Sequence, residues 1–93
     1  MTKLYLFVMN TCGPCHQAKL QLTRMPNWKD YVEIVDVRNN RQLSLKYNIT
    51  QTPTLLAIDP HGGIHRFCTT SKMQKSFWTA LFNKLDNERK ELQ

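Results

Sequence analysis

Residues 3–9 form a short apolar and aromatic run, and Cys12-Gly13-Pro14-Cys15 follows almost at once. The run reads as a buried strand. From Gly13 or Pro14 to about Met25, the apolar residues Cys15, Ala18, Leu22 and Met25 recur at intervals of three, four and three, which is one face of a helix. Pro14 is compatible with that helix only in its first turn, where the missing N–H has no intrahelical use. Asn10-Thr11, where the strand ends, are both suited to capping. The junction therefore sets Cys12 at a helix N-terminus and Cys15 inside the first turn, fed by a strand from below.

Pro26-Asn27 breaks the helix, and residues 31–37 are a near-continuous β-branched run, the pattern of a strand covered on both faces. Asn39 or Asn40 can cap a shorter helix through Leu43 and Tyr47, with Asn48 as a left-handed terminator. Residues 54–58 read as a third strand. Asp59-Pro60-His61-Gly62-Gly63 is a turn leading to a fourth strand at residues 64–67, so the last two strands should form a hairpin. Met73, Phe77, Trp78, Leu81, Phe82 and Leu85 mark the core face of a closing helix, with Thr70 or Ser71 as its cap. Its charged end, residues 87–93, is expected to fray.

A chain of 93 residues supports one core, and no repeat, low-complexity tract or linker divides it, so residues 1–93 are read as a single domain. With 41% apolar and 22% charged residues, disordered and collagen-like classes are excluded. The net charge of +6 comes from cations spread over every segment, with no stripe and no aromatic platform. A solvated surface is expected, and no specific nucleic-acid binding. No run approaches the ~18–20 apolar residues of a membrane span. Residues 4–9 are short for a signal-peptide core and lack a cleavage site, so the expected location is cytoplasmic, off the membrane. The three cysteines cannot all pair within the chain, which favours cysteine chemistry over cysteine scaffolding.

One helical turn of separation brings the Cys12 and Cys15 sulfurs close enough to close a small disulfide ring, and Gly13-Pro14 supplies a tight turn between them. A free thiol titrates near ~8.5, and bringing it to about 7 takes roughly 2 kcal/mol of preferential stabilisation of the anion. The helix dipole supplies about 0.3–1 kcal/mol of this, and first-turn donors can provide the rest. Cys12 is thus the expected nucleophile. Cys15, one turn deeper on the apolar face, should stay protonated until a mixed disulfide forms on Cys12, then attack that bond and release the reduced substrate. The alternative reading of the pair is an unreactive CxxC or half of a zinc site.

Cys12-Gly13-Pro14-Cys15, followed by Lys46-Tyr47-Asn48-Ile49 and by Thr52-Pro53-Thr54-Leu55-Leu56, resembles the active site and the cis-proline segment of thioredoxins, in the same order and over nearly the whole chain. In its length, and in beginning directly with the strand that leads to the cysteines, the chain is similar to glutaredoxins. The resemblance implies a thioredoxin fold: an α/β domain of order β-α-β-α-β-β-α, with a four-stranded mixed sheet flanked by three helices. It also implies a dithiol-disulfide oxidoreductase that needs no cofactor beyond a redox-active Cys12–Cys15 disulfide. Pro53 would be cis and face the cysteine pair, and the Thr52 backbone would hydrogen-bond an extended substrate segment. Thr11 and Cys68 would border the same groove. Implied partners are disulfide-containing clients such as ribonucleotide reductase, with thioredoxin reductase or glutathione as reductant, acting on a monomer.

Several positions depart from those patterns. Thr11 stands where thioredoxins commonly carry tryptophan, and Leu6 replaces their buried acid six positions before the first cysteine. Without that acid, water or His16 must assist deprotonation of Cys15; the plainer reading of His16 is an exposed helix residue. Met9 and Phe67-Cys68-Thr69-Thr70 occupy the places of the glutathione-binding residues of glutaredoxins, and Gly62-Gly63 falls in the hairpin turn, so no dedicated glutathione site is evident. Cys68 reads either as a third redox thiol, a glutathionylation point or a dimer-forming residue, or as a small apolar filler. A zinc set of Cys12, Cys15, His61 and His65 would span 45 intervening residues, against about 12–15 in a zinc finger, and is not expected. The remaining readings are a glutathione-dependent glutaredoxin and a non-catalytic binding or zinc module on the same fold.

Overall fold

Strand β1 (Lys3–Val8) is buried at every position after Lys3, because it lies inside the sheet and both its faces are covered. Side chains alternate across a strand, and the core divides accordingly. Leu4, Leu6 and Val8 belong to one apolar cluster with Ala18, Leu22, Trp78 and Phe82, whereas Tyr5 and Phe7 belong to a second with Val35, Leu56, Leu43 and Tyr47. The computed structural model describes residues 2–68 and 73–91. In it β2 (Val32–Asp36) runs parallel to β1 on one side, and β3 (Thr54–Ile58) runs antiparallel on the other and pairs with β4 (Ile64–Phe67). The order β2-β1-β3-β4 is a four-stranded mixed sheet. Helices α1 (Gly13–Thr23) and α3 (Lys75–Glu91) supply residues to the first cluster and α2 (Arg41–Lys46) to the second, so the expected α/β architecture is present.

The run at residues 31–37 forms β2, which meets a core cluster on each face through Val32 and Val35, as expected. It is an edge strand and Glu33 is exposed, whereas β1 is buried along nearly its whole length. After α1, the Pro26-Asn27 break continues into a 3-10 turn at Trp28–Asp30, entered through Asn27 at φ 59°. Asn48, at φ 53°, ends the turn after α2 in the left-handed conformation expected of it. Asn40 precedes α2 without a side-chain capping bond; its amide instead donates to the Asp36 carbonyl at 3.0 Å.

The charged end of α3 does not fray over its described length, and the expectation for residues 87–93 is corrected to that extent. Glu88 accepts from the Thr2 N–H at 3.0 Å and from the Thr2 hydroxyl. Arg89 donates to the Asp30 carbonyl at 2.8 Å and lies 4.7 Å over the Tyr31 ring, which stacks on Phe82. The Tyr31 hydroxyl donates to Asp86 at 2.7 Å, and this bond is the main reason its pKa is raised. Long-range polar contacts thus tie the helix end to the segments that enter β1 and β2, at the N-terminal end of both strands. The expected caps Thr70 and Ser71 lie outside the described residues. No helix among the described residues is long and apolar enough to cross a membrane.

The β3–β4 turn is organised by Asp59, whose Oδ1 accepts from the backbone N–H groups of Gly63 at 2.8 Å and His61 at 2.9 Å. Gly62 takes φ 86°, which favours glycine. The Gly63 bond first, then the His61 bond, hold the Asp59 carboxyl below its usual range, with a smaller part from His65. A carboxyl with a depressed folded-state pKa adds stability above its unfolded value, near about 4, and that stability is lost as the pH falls through the lower folded value. Asp59→Ala should therefore be destabilising at pH 7 in urea melts, and the gap from the parent chain should shrink as the pH is lowered below about 4. A gap that stays constant with pH would remove the charge from this account.

Candidate active site

The parallel pairing of β1 and β2 continues to Val37, whose N–H donates to the Val8 carbonyl at 3.0 Å, so both strands deliver their C-terminal ends to one edge of the sheet. There the chain turns through Asn10 and Thr11, with the Cys12 N–H donating to the Met9 carbonyl at 3.2 Å, and α1 begins at Gly13. Pro14 sits in the first turn, where its missing N–H costs nothing. Neither Asn10 nor Thr11 caps the helix, contrary to expectation. The cap is Cys12 itself, in extended backbone, with its Sγ accepting the Cys15 N–H at 3.1 Å. A sulfur thus takes the place usually held by a side-chain oxygen.

The Cys12 and Cys15 Cα atoms are 5.2 Å apart and their sulfurs lie within disulfide-bonding distance. The two are unlike in their surroundings. Cys15 is fully buried in the cluster that contains Leu6, Val8, Ala18 and Leu22, whereas Cys12 is half-buried at its margin. Negative charge on Cys12 would be favoured by the Cys15 N–H and the N-terminal dipole of α1, whose first turn carries no acid to oppose it. The Thr52 carbonyl oxygen, 3.5 Å from Cys12 Sγ, acts the other way by offering an acceptor to the thiol form. On Cys15, burial among apolar side chains disfavours the thiolate. Gly13 has open space where a Cβ would project, which leaves the approach to the pair uncovered.

The cis-proline segment closes the other side. The Thr52–Pro53 bond is cis, Pro53 is buried, and the Thr52 carbonyl meets Cys12, which brings Thr52 and Pro53 to the dithiol as expected. Thr54, buried directly after it, donates its hydroxyl to the Gln51 carbonyl at 2.7 Å and so pins the segment. Cys68 Sγ lies 3.8 Å from Oγ1 of Thr54, the residue after Pro53 in the chain, and is half-buried. His16 is exposed, and its backbone N–H donates to the Cys12 carbonyl at 3.3 Å. His61 and His65 lie in the β3–β4 hairpin, with His65 Nε2 3.6 Å from Asp59; no group of three or more metal-ligating side chains converges among the described residues.

Arg38 was not singled out from the sequence. Its Nη2 donates to Thr11 Oγ1 at 3.4 Å, bringing a cation to the residue before the exposed cysteine. The parallel β1–β2 pairing is the signal that could have found it, since Arg38 follows Val37 at the edge where Thr11 follows Val8.

Neither a family model nor a curated protein sequence matches the chain. Solved structures do. A malarial protein superposes with a TM-score of 0.72 at 17% identity, covering 90% of this chain and 96% of that one. The germline-specific thioredoxin Deadhead of Drosophila melanogaster gives 0.67 at 17% identity, covering 90% and 80%. The thioredoxin of Fasciola hepatica gives 0.67 at 22% identity, covering 82% and 77%. With the order β-α-β-α-β-β-α, the mixed sheet and a cysteine pair where β1 gives way to α1, the chain has the thioredoxin fold.

Proposed function

We propose that the chain is a thiol-disulfide oxidoreductase that reduces protein disulfides with the Cys12–Cys15 dithiol. The observation that carries this reading is the pairing of one half-exposed and one buried sulfur, at bonding distance, on the first turn of a helix. The Cys12 thiolate attacks one sulfur of a client disulfide; a bond forms between Cys12 and that sulfur, the client S–S bond breaks, and the departing client thiolate takes a proton. Cys15 then gives its proton to water at the Cys12 side, because the buried residues around it are all apolar and Leu6 stands where an acid would be needed. Its thiolate attacks the Cys12 sulfur, closes the internal disulfide and breaks the mixed one, and the second client thiolate leaves and takes a proton from water. Two electrons have moved from the dithiol to the client.

Thr52 and Pro53 bound the groove that receives the client strand, with Thr11 on the opposite lip. The clients are disulfide-bearing proteins, with ribonucleotide reductase as the type case, and a monomer acting in a reducing cytoplasm completes the reading. The electrons that restore the dithiol come from thioredoxin reductase or from glutathione, and parallel turnover assays with either system assign the route.

The test is a redox titration of the purified protein in glutathione buffers, followed by mixing the reduced form with a protein disulfide. Cys12–Cys15 should interconvert reversibly, and each reduced molecule should open one client disulfide. A pair that keeps its state across the titration, or that holds stoichiometric metal, would overturn the proposal in favour of a binding module.

A further inference from the structure

Between β2 and α2 lies a cleft of about 620 Å3 lined by Arg38, Asn39, Asn40, Arg41, Leu43 and Lys46, among others. Arg38, Arg41 and Lys46 are exposed, and none of them is ion-paired with a carboxylate among the described residues. The nearby Asp36 is occupied, its Oδ1 accepting the Arg38 backbone N–H at 2.9 Å. Lys46 rests over the Tyr47 ring, 5.3 Å from its centroid. Unlike the basic surplus elsewhere, these cations share one concave surface with no acidic lining residue. Through its bond to Thr11, Arg38 joins that surface to the residue before Cys12.

We propose that this cleft recognises acidic residues of the disulfide-bearing client, seated beside the cysteine that Cys12 attacks. The proposal deepens, and rests on, the oxidoreductase reading. The side chains selected are Asp or Glu flanking the client cysteine, because Arg38 already reaches Thr11, the residue before Cys12. Guanidinium groups suit carboxylates through paired N–H donors. A nucleic-acid strand fits less well, because the lining offers no aromatic face for a base to stack on. Attraction between a basic cleft and an acidic segment acts mainly on the encounter rate and weakens with salt.

The experiment mixes the reduced protein with three peptides that share one internal disulfide and differ only in flanking residues: three Glu, three Gln or three Lys. Second-order rates are divided by those of dithiothreitol with the same peptides, which removes differences intrinsic to the disulfides. At low ionic strength the Glu peptide should react about tenfold faster than the Gln peptide and the Lys peptide slower still, an ordering that collapses toward unity in 1 M salt. In Arg38→Gln/Arg41→Gln, both exposed positions, the Glu-to-Gln ratio should fall to about one, whereas Lys84→Gln on the far helix should leave that ratio unchanged.

Equal rates for the three peptides would overturn the proposal and leave the oxidoreductase reading standing. A ratio that survives the double arginine variant would also overturn it. So would equal rates accompanied by inhibition from an oligodeoxynucleotide, which would give the cleft to nucleic acid. If no peptide oxidises the protein at all, the oxidoreductase reading itself fails, and the proposal with it.

Discussion

Serine in place of Cys12 is expected to abolish disulfide reduction, lowering the rate by on the order of a thousandfold or more, while Cys15→Ser should leave the first exchange intact and stall the second. The asymmetry follows from burial. Cys12 is the half-exposed sulfur, and a hydroxyl at its position remains protonated at neutral pH and is a far weaker nucleophile toward sulfur. Cys15 is fully buried, so no client disulfide reaches it directly; its part is confined to attacking Cys12 from within. A Cys15→Ser chain should therefore accumulate as a covalent adduct with its client, one client per protein, visible by mass spectrometry and released by dithiothreitol. Retained turnover in Cys12→Ser would assign the attack to another thiol, with Cys68 the remaining candidate in the chain. Free release of client from Cys15→Ser would remove Cys15 from the second step.

The parts of this arrangement that were legible beforehand are those governed by residues near in sequence. The spacing of Cys15, Ala18 and Leu22, the first-turn Pro14 and the left-handed Asn48 each express local backbone chemistry, and the structure places them accordingly. The cis Thr52–Pro53 bond came from resemblance and not from spacing; a bare X-Pro carries little information about its isomer. What was missed depends on pairing. The β-branched run at residues 31–37 does not announce that its strand lies at the sheet edge with Glu33 exposed, because that is set by where β3 docks. The end of α3 looks free when read by charge alone, yet Thr2, Asp30 and Tyr31 anchor it from positions more than fifty residues away. Arg38 reaches Thr11 across 27 positions for the same reason. The capping role of Cys12 is a different kind of omission: the local signal favoured oxygen-bearing Asn10 and Thr11, but only the sulfur of Cys12 is positioned over the Cys15 N–H.

Trp78→Ala should cost about 3–5 kcal/mol, more than any other single truncation of an aromatic ring in the chain, and should leave little of the roughly 5–10 kcal/mol that holds a domain of this size together. Trp78 is the largest fully buried side chain. Its ring lies edge-on to Phe77 at 5.1 Å and tilted toward Phe82 at 6.2 Å, and its Nε1–H donates to the Met73 carbonyl at 3.2 Å. Alanine would therefore leave a large void between α3 and the sheet as well as a buried carbonyl without its donor, the latter adding about 1–3 kcal/mol if no water enters. Trp78→Phe separates the two contributions, since it keeps most of the apolar volume and removes only the donor; its cost should be well under half that of alanine. Urea melts measure both. Because Trp78 and Cys15 belong to one cluster, the loss should also appear in the chemistry: alkylation of Cys15 in the reduced protein, slow while the core is closed, should accelerate in Trp78→Ala at denaturant concentrations that leave the parent chain folded. A cost below about 1.5 kcal/mol for the alanine variant would mean that the cluster collapses around the void. In that case α3 would not be what keeps Cys15 out of water, and the division between an accessible and a protected thiol would have to come from α1 and the Pro53 segment alone.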